Sequence, residues 1–164
     1  MINYREVLQK NYKQWRIRAA MSVVVTKKVT IVIPVYKDWS TLKLCISSLK
    51  SCVSDRNKVL LINDMGPDWE KIENNILSEI EGYENFQYFR NDKNLGFVKT
   101  CNRAVFELDH SENDILLLNS DTEVTPGFLE EMQSVLYAAE KHGVVCPRSN
   151  NATLLTIPVK NELN

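Results

Sequence analysis

The chain is poor in glycine, with five in 164 residues. None is arranged as the G-x-G-x-x-G of a dinucleotide-binding turn or the G-x-x-x-x-G-K-[ST] of a phosphate-binding loop, so both of those nucleotide grips are excluded. G-x-S-x-G is missing too, which excludes the nucleophile turn of an α/β-hydrolase. The turn after the first apolar strand reads Pro34-Val35-Tyr36-Lys37-Asp38. It therefore lacks the glycine-rich, arginine-containing loop expected of a sugar nucleotidyltransferase.

Other shortages narrow the field further. The four cysteines, Cys45, Cys52, Cys101 and Cys146, form no C-x-x-C pair and no Cys/His cluster of zinc spacing. Cys45, Cys101 and Cys146 sit among apolar neighbours and read as small buried hydrophobes kept reduced. The two histidines, His110 and His142, lie in polar company near expected helix ends and read as surface residues. A formal net charge of -1 gives no overall basic field for nucleic acid or anionic lipid. No apolar run approaches the ~20 residues that cross a bilayer, and the N-terminus lacks a signal peptide's apolar core. The expectation is a cytoplasmic protein without a nucleic-acid partner.

What is present suits one globular domain: 44% hydrophobic and 25% charged residues in a chain long enough to bury a core. Residues 2 to 21 carry Tyr4, Leu8, Tyr12 and Trp15 at helical spacing, followed by Arg16 and Arg18 near the helix end. This extension docks on the domain or a neighbour; as a basic amphipathic helix it is also a candidate for peripheral membrane contact, an option weakened by Glu6 and several amides. Val29 to Ile33 is a β-branched strand ending at Pro34. Leu42, Cys45, Ile46 and Leu49 then repeat at i, i+3, i+4 and i+7, a helix with Ser40 or Thr41 as its cap. Lys58 to Ile62 is a second strand. Asp68 is placed to cap a helix with the stripe Trp69, Ile72, Ile76, Leu77 and Ile80, ended by Gly82.

Phe86 to Phe89 is a short third strand, and Arg90 to Gly96 a loop rich in turn formers. A helix from about Phe97 to Leu108 buries Cys101, Ala104, Val105 and Leu108. Ile115 to Leu118 is an apolar run of the kind buried on both faces of a parallel sheet. Pro126 starts another helix as its first residue. That helix has the stripe Phe128, Leu129, Met132, Val135, Leu136 and Ala139, and Gly143 ends it. Val144 to Cys146 is a fifth strand. The alternation β-α-β-α-β-α-β-α-β predicts an α/β fold: a mainly parallel, Rossmann-like sheet with helices on both faces and right-handed crossovers.

Ligands of such sheets bind at the carboxyl ends of the strands. Strand one ends in Pro34 and Tyr36, strand two in Asn63 and Asp64, and the loop after strand three carries Asn94 and Gly96. Strand four ends in Asn119-Ser120-Asp121. From the residues alone, Asp121 either holds a divalent metal against a nucleotide diphosphate or organises the turn into the next helix.

Four segments together resemble the nucleotide-sugar-binding half of family-2 glycosyltransferases with the GT-A fold, rhamnosyltransferase-like branch. They are Val-Thr-Ile-Val-Ile-Pro-Val-Tyr (29–36), Val-Leu-Leu-Ile-Asn-Asp (59–64), Asn-Leu-Gly-Phe (94–97) with Asn102, and the segment from Leu116 to Leu129. The resemblance implies a glycosyltransferase whose donor is a nucleoside-diphosphate sugar and whose acceptor is a glycan, lipid or protein. It implies that Asp64 accepts from a base N–H, that Pro34 and Tyr36 line the base pocket, and that Gly96 lets the backbone approach the sugar nucleotide. Asn119, Ser120 and Asp121 would stand where the family has its D-x-D, with Asp121 on Mg²⁺ or Mn²⁺. Asn119 in place of the first carboxylate puts more of the metal's ligation on substrate oxygens. Plainer roles stay open: a turn for Asp64, the core for Tyr36, a turn or helix start for Gly96, and an exposed helix position for Lys99, which otherwise approaches the diphosphate.

The resemblance covers only the first half of such an enzyme. The expected division is an N-terminal helical extension over 1–27, a nucleotide-sugar-binding domain over 28–150, and a tail over 151–164 that begins an acceptor half. The catalytic base belongs to that half and remains unknown, because none of Glu123, Glu130, Glu131, Glu140 and Glu162 stands in a recognisable context. A non-catalytic nucleotide-sugar-binding or assembly module is the alternative. Apolar surface left uncovered by a missing half favours an oligomer contact.

Overall fold

A computed structural model describes residues 27–147. The helix expected over 2–21 and the tail over 151–164 lie outside the described residues. Of the described residues, 27–126 form one compact unit, and those from Gly127 belong to a second. The first unit runs β1 (Val29–Val35), α1 (Trp39–Cys52), β2 (Lys58–Asn63), α2 (Trp69–Glu79), β3 (Phe86–Arg90), α3 (Phe97–Arg103) with a π turn over Ala104–Leu108, and β4 (Asp114–Leu117). The strands form one four-stranded sheet in the order β3-β2-β1-β4, and every pair is parallel. The α/β fold expected from the alternation is the fold observed.

β1 forms because a β-branched run packs well on a pleated surface buried on both sides. It does not stop at Pro34, which pairs in register with Ile62. A proline is tolerated there because β4 has already ended. The last β1–β4 pair is Val32 with Leu117, and the Val32 carbonyl accepts from the Leu118 N–H. Pro34 faces the same way two residues on, beyond β4's last pair, so its missing N–H breaks no ladder bond.

On one face Val32, Leu60, Ile62 and Ala104 form a buried cluster, with Phe89, Val105 and Leu108 against it. The π turn of α3 covers that side. The opposite set, Ile31, Ile33, Val35, Val59 and Leu61, is fully buried as well. Right-handed crossovers put α1 and α2, which pack on each other, over that second face. The α1 stripe of Leu42, Cys45, Ile46 and Leu49 is fully buried, as its spacing predicts.

The ends of elements differ from expectation in ways the chemistry explains. Asp38, not Ser40 or Thr41, caps α1. It sits at φ 66, and its carboxylate accepts from the Ser40 hydroxyl at 2.6 Å and the Thr41 N–H at 3.4 Å. Those two bonds hold its carboxyl below the usual carboxylate range. Asp68 occupies the cap position of α2 without making a side-chain cap bond. Leu77 is 47% exposed, because it follows Ile76 by one residue and so turns about 100° off the buried face. α3 ends as a π turn closed by the Asp109 N–H on the Ala104 carbonyl at 2.9 Å.

β4 is not buried on both faces: Ile115 and Leu117 are 39% and 50% exposed. Their register partners are Thr30 and Val32, so they look out on the α3 side. α3 and its π turn sit over β1 and β2, and β4 is the edge of the described sheet.

In the second unit α4 spans Phe128–Leu136. Gly127 at φ 85 takes the cap position, so Pro126 lies ahead of the helix rather than at its first residue. Leu129 and Gln133 are its buried residues. The helix stops well before Gly143. Val144 to Cys146 is not a strand: Val144 is 89% exposed, and a strand needs a ladder partner that the described residues do not supply. Among the described residues no helix is long and apolar enough to cross a membrane.

Candidate functional site

Strand order 3-2-1-4 puts a switch point between β1 and β4, where successive crossovers go to opposite faces. The crevice outside the carboxyl ends of those two strands is where such sheets bind ligands. Its floor is set by register. Val35 pairs with Asn63, and Asn63 with Arg90, so the residues that follow, Tyr36, Asp64 and Asn91, leave the sheet side by side. On the other side, the Leu118 N–H bonds the Val32 carbonyl, which brings Asn119 to Asp121 out beside Pro34. The topology thus brings Pro34, Tyr36, Asp64 and the segment from Asn119 to Asp121 to one rim, while Lys99 is an exposed position on α3 that none of these pairings brings there.

Tyr36 stands at the centre of that rim and is 45% exposed, so the core role is not the one it has. Gly66 holds its backbone in place. A Cβ at Gly66 would lie 1.5 Å from the Tyr36 carbonyl oxygen, so only glycine lets the loop after β2 press on the loop after β1. Met65, at φ 53, makes the bend that delivers Gly66, and its N–H is held at 3.1 Å by the Asn63 side-chain oxygen. The Asn63 amide donates to the Trp69 carbonyl at 3.0 Å, so Asn63 is a turn organiser.

Asp64 is buried, and its carboxylate faces the chain itself. Oδ1 accepts from Asn91 Nδ2 at 2.7 Å and the Leu95 N–H at 2.8 Å, while Oδ2 accepts from the Gly96 N–H at 2.9 Å. A carboxylate has about four acceptor positions, and these bonds engage three of them. Gly96 has φ 79 and ψ 163, a region reserved for glycine, and open space where a Cβ would stand. It begins α3 as well as lining the rim.

Asn91 connects these parts and was not singled out by sequence. Almost wholly buried, it donates from Nδ2 to Asp64 and to Thr100 Oγ1 at 2.9 Å, and its Oδ1 accepts from Arg103 Nη1. Its N–H bonds the Asn63 carbonyl at 2.9 Å. Gly66, Asn91, Thr100 and Arg103 are the residues missed. The one signal available was the Arg90-Asn91 pair at the end of an apolar strand.

Asn119 and Asp121 are exposed and Ser120 is half-buried. The segment turns tightly, with the Thr122 N–H on the Asn119 carbonyl at 3.2 Å. It rests on α1, where Cys45 Sγ approaches the same carbonyl at 3.9 Å. Burial pushes the Cys45 thiol up to about 12, and the nearby charges of Asp121 and Glu123 add to the rise. Among the described residues no three His, Cys, Asp or Glu side chains gather to hold a metal unaided. Asn119, Ser120 and Asp121 offer hard oxygen donors open to solvent. That set fits a hard divalent cation which completes its shell with water and ligand phosphate.

Solved structures share this fold. TarS from S. aureus (residues 1–349) superposes with a TM-score of 0.54 at 18% identity, over 66% of this chain and 32% of that one. GalNAc-T7, solved with UDP, GalNAc and Mn²⁺, gives 0.58 at 16% identity, over 67% and 21%. The mannosyltransferase PcManGT from Pyrobaculum calidifontis, solved with GDP-Man and Mn²⁺, gives 0.56 at 13% identity, over 79% and 39%. This chain therefore spans at most about two fifths of those proteins. A comparison with curated proteins returns no match. The family model of glycosyl transferase family 2 matches residues 30–153, three quarters of the sequence, and the chain belongs to that family.

Proposed function

We propose that this chain is the donor-binding part of a glycosyltransferase that moves a sugar from a nucleoside-diphosphate sugar to a glycan, lipid or protein acceptor, with inversion and with help from a divalent metal. The observation that carries the reading is the rim itself. An exposed aromatic ring, Tyr36, and an exposed carboxylate, Asp121, flank the switch point of a parallel sheet in a chain of this family.

The assigned roles follow from the chemistry on that rim. Tyr36, beside Pro34, stacks on the flat base. Asp64 fixes the Leu95–Gly96 turn and accepts from a base N–H. Gly96, without a side chain, lets the sugar nucleotide approach the backbone. Asp121, with Asn119 and Ser120, holds Mg²⁺ or Mn²⁺. When bound, that ion neutralises charge on the departing diphosphate. Two fold neighbours were solved with Mn²⁺ and a nucleotide or nucleotide sugar, which supports the same ligand class here. The likeness to the rhamnosyltransferase branch and a cytoplasmic, membrane-peripheral location belong to the same proposal.

A second reading rests on the carboxylates of the rim: Asp64 is held by donors of its own chain and Asp121 is given to the metal, so neither is assigned as a catalytic base. The chain would bind a nucleotide sugar without transferring it. Calorimetry with UDP, GDP and dTDP sugars, with and without Mn²⁺, separates the possibilities. Metal-dependent binding of one donor, lost in Asp121→Ala, supports the donor site. Sugar transfer or donor hydrolysis by this chain selects the enzyme, and binding without turnover selects the module. If none of these donors binds, both readings fail.

A further inference from the structure

Asp64 does not stand alone at the rim. Arg103, from the last turn of α3, donates through Nη1 to the Asn91 side-chain oxygen and to the Arg90 carbonyl at 3.0 Å. Asn91 passes the polarity on, because its Nδ2 donates to Asp64 Oδ1. Asp64 then receives the Leu95 and Gly96 N–H groups on its two oxygens. The order is guanidinium, amide, carboxylate, loop backbone, and each donor meets an acceptor of the next group. Thr100, fully buried on α3, takes the second Nδ2 hydrogen of Asn91, so the amide cannot rotate without losing partners on both sides.

This line starts at a half-buried arginine on a helix and ends at the turn that opens the same helix. The turn needs support, because Gly96 lies in a backbone region that no L side chain favours. We infer that Asn91 and Arg103 are positioning residues for donor binding: through Asp64 they hold the Leu95–Gly96 backbone in the shape that faces the nucleotide. The inference rests on the donor-site reading above. Charge-assisted hydrogen bonds are the strong ones, and a hydrogen-bonded line buried at Asn91 and Asp64 responds as a unit.

The test uses Arg103→Ala and Arg103→Lys, at a position exposed enough for the fold to survive, and Asn91→Asp, which faces Asp64 with a second carboxylate. Each is compared with wild type by calorimetry against UDP, GDP and dTDP with Mn²⁺, by thermal unfolding, and by hydrogen exchange at the Gly96 and Leu95 amides. Arg103→Ala should weaken nucleotide binding about tenfold, the scale on which outer partners of a binding group act. It should also speed exchange at Gly96 while the remaining core amides keep their protection. Arg103→Lys should recover part of both, and Asn91→Asp should be worse than Arg103→Ala in both.

Unchanged nucleotide affinity in Arg103→Ala and Asn91→Asp, with wild type binding normally, overturns the inference alone. Loss of protection throughout the core also overturns it, since that marks general destabilisation. If wild type binds none of the three nucleotides, the donor-site reading falls and this inference with it. Exchange at Gly96 then still reads whether Arg103 supports the turn.

Discussion

Gly66→Ala tests whether the rim is built by backbone contact between two loops. The added Cβ would lie 1.5 Å from the Tyr36 carbonyl oxygen, 2.6 Å from its carbon and 3.2 Å from the ring at Cδ2. A Cβ is essentially never found within 3.0 Å of such an atom, so the loops must part by at least about half of that distance. The two closest atoms are backbone, and no rotamer change relieves them. The same loops are joined just before the clash by the Asp64 N–H on the Val35 carbonyl at 2.7 Å. Parting them breaks that bond, about 1 kcal/mol. Forcing extra volume into a packed contact costs about 1–3 kcal/mol more. The expected loss is thus about 2–4 kcal/mol. Gly143→Ala is the control, because its Cβ meets nothing within 4 Å. Urea unfolding measures both, read as a shift in midpoint at constant slope. The variant should also lose nucleotide affinity beyond what its unfolded fraction explains, since Tyr36 moves with its backbone. A Gly66→Ala midpoint within about 0.5 kcal/mol of wild type would refute the reasoning, for that is the range of a neutral surface change.

Other outcomes follow from single features. Asn57 is buried and its Oδ1 accepts from the Val29 N–H at 2.8 Å, so Asn57→Ala should orphan that donor and cost about 1–3 kcal/mol in urea unfolding. Burial raises the Asp109 carboxyl, but bonds from Ser111, Thr30 and Lys58 outweigh it and hold the group below its ordinary value. The stability it adds is therefore full above the unfolded value of about 4 and lost as pH falls through the lower folded one. Urea midpoints compared at pH 5 and pH 3 should accordingly fall less in Asp109→Asn than in wild type. Cys146 is exposed while Cys45 and Cys101 are buried with raised pKa values, so iodoacetamide should label Cys146 first. Peptide mass spectrometry should find Cys45 and Cys101 labelled only on unfolding.

The sheet was legible because its strands carry the signal in the residues themselves. A β-branched run buried on both sides, such as Val29 to Ile33, needs no knowledge of its neighbours to be recognised. The same holds for the i, i+3, i+4, i+7 stripe of α1. What failed depended on neighbours. Whether Ile115 and Leu117 are covered is decided by where α3 lies, and nothing within the Ile115–Leu118 run encodes that. Val144 to Cys146 has strand composition but no ladder partner among the described residues, and composition alone cannot supply one. Capping failed for a local reason. Asp38, Ser40 and Thr41 are all good caps, and the choice fell to the one whose carboxylate reaches both of the others.

The rim shows a deeper limit. A polar residue at a strand end has the same sequence signature whether it faces a ligand or the chain. Asp64 and Asp121 both follow apolar strands, yet Asp64 is enclosed by three donors of its own chain and Asp121 is open to solvent. The difference arises from groups remote in sequence: the Leu95 and Gly96 N–H groups, and Asn91, which lies 27 residues from Asp64 and reaches it because β2 and β3 are parallel and in register. Asp64→Asn and Asp121→Asn should therefore fail differently. The first replaces one acceptor oxygen by an amide donor against N–H groups that also donate, which destabilises the loop and the fold. The second removes a charge from solvent and should leave the urea midpoint within about 0.5 kcal/mol while abolishing any metal dependence of nucleotide binding. Equal destabilisation by the two changes would show that exposure at Asp121 is not what separates them, and the division of the rim into a supporting carboxylate and a ligand-facing one would have to be given up.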